Sequence, residues 1–107
     1  MQTAEIQKRF SNIEQFVEQA SQGCKSNADI PKVLVDCVAQ LDAQTTKAKQ
    51  DFQSKDEARI RQSVDALEKL SDSAEREVDK VKGVNEEVKS AIKKAHTQLS
   101  ELKQQLH

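Results

Sequence analysis

From Ile60 to the end of the chain, one set of positions returns at alternating steps of four and three: Ile60, Val64, Leu67, Ser71, Ala74, Val78, Val81, Asn85, Val88, Ile92, Ala95, Leu99, Leu102 and Leu106. A repeat averaging 3.5 residues, held this long and mostly apolar, is the seam of a helix in coiled-coil-type packing. Upstream the pattern is broader. Ile6, Phe10, Ile13, Phe16, Val17 and Ala20 mark one face of a helix over about 3–22, with Thr3 as its N-cap and Gly23 as its stop. Ile30, Val33, Leu34, Cys37, Val38 and Leu41, thinning to Ala48 and Phe52, mark a second over about 30–53 that starts near Pro31, the only proline. Ser54 and Glu57 have capping-box spacing, which places a break near Gln53.

Beyond that break the chain forms helices over about 55–82 and 84–106, or one continuous helix if Gly83 does not interrupt it. The unslipped heptad phase favours continuity. It would put Gly83 on the outer side, at a cost of about 1 kcal/mol relative to alanine, and Asn85 inside the seam as a register-fixing polar residue. The opposite reading takes KGVN as a C-terminal glycine followed by an asparagine cap. Folding back there would lay an acidic stretch (Asp65, Glu68, Asp72, Glu75, Glu77, Asp79) beside a basic one (Lys80, Lys82, Lys89, Lys93, Lys94). Either way the expected fold is all-α: an antiparallel bundle in one domain over 1–107, with three long helices or four if broken at Gly83.

Composition narrows the function more by exclusion than by assignment. Seventeen basic residues nearly cancel eighteen acidic ones, so no global field draws the chain to nucleic acid or an anionic membrane. No segment approaches a membrane span or a signal-peptide core, and a cytoplasmic location is expected. The spacing of Cys24 and Cys37 matches no metal or redox motif. Cys37 is expected to be a buried small hydrophobe, and Cys24 an exposed thiol in a loop after Gly23.

With two isolated glycines, no phosphate loop or nucleotide fingerprint can form. Neither His96 nor His107 has ligands at metal spacing. No catalytic group, cofactor or metal is therefore expected. His96 in AIKKAHTQLSEL is the one candidate phosphoacceptor, although Leu99 and Ser100 stand where phosphotransfer bundles carry lysine and glycine. Lys89, Lys93 and Lys94 make the one basic patch, without an interleaved aromatic residue to stack on bases.

The chain is therefore expected to be a non-enzymatic helical protein–protein interaction module (adaptor, chaperone-like or assembly protein) that self-associates as a homo-oligomer or pairs with a partner's helix. Its interaction seam would be Ile60, Val64, Leu67, Val78, Val81, Asn85, Val88, Ile92, Leu99, Leu102 and Leu106. The alternatives are a signalling or phosphotransfer bundle using His96, and a nucleic-acid accessory protein using the lysine patch.

Overall fold

Each apolar stripe folds into its own helix. A computed structural model describes residues 3–27, 29–81 and 83–106, in which α1 is Thr3–Ser26, α2 Lys32–Gln53, α3 Glu57–Lys80 and α4 Glu86–Leu106. Contacts run between α1 and α2, α2 and α3, α3 and α4, and α4 and α1, with none across the diagonals among the described residues. Paired residues run in opposite order on neighbouring helices, as in the α3–α4 ion pairs Asp79–Lys93 and Glu68–Lys103. This is an antiparallel up-down-up-down four-helix bundle, 40 × 21 × 18 Å, the outcome short connections dictate. The N-cap expected at Thr3 involves a side chain outside the described residues, as do Lys82 and His107.

The core has two parts. Phe10 and Phe52 stack at a centroid separation of 4.1 Å within the larger cluster, with Ile13, Leu41, Leu67 and Leu99. Ala20, Leu34, Val38, Val78, Val88 and Ile92 fill the other. Exposure drives this segregation: among the described residues, Val33 is the one large hydrophobe left mostly in water.

The helix does not run through Gly83, which corrects the favoured reading of the heptad phase. Val81 leaves helical geometry at φ −102° and ψ 126°. Gly83 takes φ +82°, a conformation costly for any residue with a β-carbon. Asn85 accepts a hydrogen bond from the backbone N–H of Glu87 at 2.8 Å. It is an exposed N-cap of α4 rather than a seam residue, and Glu86 and Glu87 in the first turn suit the positive end of the helix dipole.

Three further local expectations are corrected. Gly23 does not stop α1, which continues to Ser26; the Asn27 side chain instead donates to the Gly23 carbonyl at 2.8 Å, satisfying an otherwise orphaned acceptor. The cap of α3 is Asp56, whose carboxylate accepts from Ala58 and Arg59, while Ser54 sits just before it and accepts from the Asp56 N–H. Cys24, carried on the extra turn of α1, is buried, and Cys37 is half-buried. The exposed thiol expected at Cys24 is thus buried, and the burial expected at Cys37 is only partial.

Candidate functional site

Nine of the eleven expected seam residues lie inside the bundle. Ile60, Val64, Leu67, Val78, Val88, Ile92, Leu99, Leu102 and Leu106 are all buried, by this chain's own α1 and α2 as well as by one another. Val81 is half-buried at the turn and Asn85 is exposed. In the closed bundle the seam thus presents no free apolar face.

What the outside presents is set by the second face of α4. Glu86, Lys89, Ser90, Lys93, Lys94, Thr97 and Gln98 recur at three- and four-residue steps beside the core stripe, and with Phe16 of α1 they line an open groove of ≈ 580 Å³. At 1.5 Å per residue this side of α4 runs for about 18 Å. Its lining is mostly carbon, because lysine stems lay their methylenes along apolar surface while the ammonium groups stay in water. Phe16 is only partly buried, and Lys94 Nζ stands 5.8 Å from its ring centroid, in cation–π range. Ser90, between Lys89 and Lys93, and Thr97, beyond Lys94, are the small side chains of the lining.

The three lysines differ electrostatically. Lys93 bonds to Asp79 of α3 at 3.0 Å, and that hydrogen bond holds its ammonium above the ordinary range. Lys89 and Lys94 have no carboxylate partner among the described residues, and Glu86 is the one acid on the rim. Further along the same furrow the charges are already matched, since Arg9 lies between Glu5 at 3.7 Å and Glu101 at 3.2 Å.

His96 faces the other side of α4, toward α3. Its Nδ1 lies 2.8 Å from Glu75, while Nε2 lies 3.5 Å from Glu68 and 3.7 Å from Asp72. The ring is one-fifth exposed, held against α3 rather than displayed to solvent as a phosphoacceptor would be. Three carboxylates around it oppose the approach of a phosphoryl group by Coulomb repulsion. No set of three or more side chains able to hold a metal is gathered among the described residues, and no described helix is long and apolar enough to cross a membrane.

Sequence reasoning found the lysine patch but missed its aromatic floor. Phe16 belongs to a helix at the other end of the sequence, and only the pairing of α1 with α4 brings it beneath Lys94. The broad stripe of α1, with Phe16 beside Val17, was the available signal that Phe16 stands at the edge of the core. Neither a protein-family model, nor a curated protein, nor a solved structure matches the chain.

Proposed function

We propose that the chain is a non-enzymatic helical protein–protein interaction module, working in the cytoplasm, that receives an acidic amphipathic helix of a partner protein along the α1–α4 groove. The observation that carries this reading is the pairing of a partly exposed Phe16 with two uncompensated lysines, Lys89 and Lys94, along a groove of helical pitch. An apolar residue of the incoming helix covers Phe16, and carboxylates spaced three or four residues apart on its flank meet the ammonium groups. The free thiols, rather than a disulfide, suit a reducing compartment.

Charge complementarity sets orientation and association rate more than affinity, and three turns of helix bury little area. Micromolar binding is therefore expected. The test is fluorescence anisotropy with a labelled 15-residue acidic amphipathic peptide. Wild-type protein is expected to saturate it. Lys89→Glu combined with Lys94→Glu is expected to weaken binding at least tenfold, and Phe16→Ser to do the same without removing the salt dependence. Equal binding of a single-stranded oligonucleotide of matched charge would contradict this reading and favour the nucleic-acid one.

A further inference from the structure

The turn at residues 81–85 separates two helices whose buried stripes are nevertheless in phase. Val78, the last buried residue of α3, and Val88, the first of α4, stand ten residues apart, which the steps of the repeat divide as three, four and three through Val81 and Asn85. Two helices joined by a turn have no need of such a relation, because each meets the core independently. One helix running through residues 81–85 does need it, since only then do both stripes lie along a single face.

Among the described residues, the backbone bond that caps α3, Val81 N–H to Val78 O, is long at 3.4 Å. Val84 packs partly against the core, and the conformation of the turn depends on a left-handed residue, Gly83. A β-carbon there would meet nothing within 4 Å. The Gly83 requirement is thus one of backbone angle alone, with no packing behind it.

We propose that this turn opens, making α3 and α4 one helix, and that two copies of the chain exchange their α4 helices to form a dimer. Every α3–α4 and α1–α4 contact of the closed bundle is recovered between copies, including Asp79 with Lys93 and Glu101 with Arg9. Val81 and Asn85 enter the seam where the two long helices cross, and an asparagine at such a position is a known register-fixing device. The continuous helix, from Glu57 to Leu106, is about 75 Å long, against 40 Å for the longest dimension of the closed bundle. Each α1–α4 groove of the dimer is composite, with Phe16 from one copy and Lys89, Lys93 and Lys94 from the other, so exchange preserves the groove while doubling its valency.

Gly83→Ala discriminates sharply, because alanine disfavours the left-handed turn and favours the helix, and the dimer contains two such positions. Its dimer dissociation constant is expected to fall on the order of a thousandfold below that of wild type, read by light scattering after size exclusion. A four-residue Gly-Ser insertion after Gly83, which interrupts the long helix and relaxes the turn, is expected to leave only monomer. To separate exchange from ordinary face-to-face association, ¹⁵N-labelled and unlabelled chains are refolded together and coupled with a carbodiimide, and the Asp79–Lys93 cross-linked peptide from the dimer fraction is weighed. Mixed-isotope peptide supports exchange. Single-isotope peptide alone, or a Gly83→Ala variant that keeps its helical circular dichroism yet remains as monomeric as wild type, overturns it. Should Gly83→Ala lose its fold, wild type refolded at millimolar concentration carries the same isotope test, and absence of a mixed dimer there overturns the proposal equally.

Discussion

Gly23 of α1 lies against Val88 of α4 so closely that a β-carbon at Gly23 would run into Val88 Cγ2. Val88 is fully buried and, being β-branched, has little rotamer freedom with which to retreat. An unobstructed glycine to alanine change inside a helix stabilises by about 1 kcal/mol. Here Gly23→Ala is expected to destabilise by about 1–3 kcal/mol through overpacking, as a lower urea midpoint. In a Val88→Ala background the same change should become neutral or stabilising, and a double-mutant cycle measures the difference.

Asn85 distinguishes a capped turn from a continuous seam in the monomeric bundle. Asn85→Ala removes the acceptor of the Glu87 N–H and is expected to cost about 1 kcal/mol of monomer stability. Asn85→Ile should cost a similar amount at low protein concentration, where a residue within a packed seam would have gained stability from the same change. Thermal unfolding followed by circular dichroism at micromolar concentration reads both.

Lys55 closes α2 in the left-handed region at φ +61° without the conformational tolerance of glycine. Lys55→Gly is expected to raise stability by up to about 1 kcal/mol, the relief of the β-carbon clash being partly offset by the greater freedom of glycine in the unfolded chain. Chemical denaturation measures this directly. A loss of stability would show that the Lys55 side chain contributes more than its backbone strain costs.

The two thiols set an alkaline limit. Burial pushes Cys24 above the ordinary value of 9.0; burial, with the nearby Glu77 and Asp36 charges, does the same for Cys37. As pH rises through 9.0 the unfolded chain ionises its thiols first, so their contribution to stability is complete below that value and is lost as pH climbs toward the raised folded values. Cys24→Ala combined with Cys37→Ala is expected to flatten the decline in stability above pH 9, although Lys93, also raised, continues it at higher pH. The thiolate being the nucleophile, both cysteines should react with a neutral-pH disulfide reagent more slowly than a free thiol, Cys24 the slower because it is buried.

The fold was legible wherever burial is periodic along one helix. Most of the stripes of Ile6 to Ala20, Ile30 to Leu41 and Ile60 to Leu106 became buried faces, because a helix meets a core every three or four residues whichever neighbour supplies it. The exceptions lie at their edges, with Val33 mostly exposed and Phe16, Ile30 and Cys37 only partly buried, and at the turn, where Val81 is half-buried and Asn85 exposed. What stayed hidden depends on residues distant in sequence. Gly23 resembles a helix stop, yet its absent side chain makes room for Val88. Asn85 occupies a heptad position and also caps α4, and phase alone could not choose between those states. Ser54 and Asp56 are rival caps two residues apart, a choice that backbone geometry decides. The groove was half visible, its lysines in one stretch and its aromatic floor in a helix at the opposite end of the chain.

The most direct measurement of the central claim is the amide correlation spectrum of ¹⁵N-labelled protein during titration with the acidic amphipathic peptide. Progressive shifts confined to the groove, at Phe16, Lys89, Ser90, Lys93, Lys94, Thr97 and Gln98, with the α2–α3 face undisturbed, are the predicted result. An unchanged spectrum at millimolar peptide, or shifts centred on α2 and α3 instead, would contradict the assignment of the α1–α4 groove as the working surface of this protein.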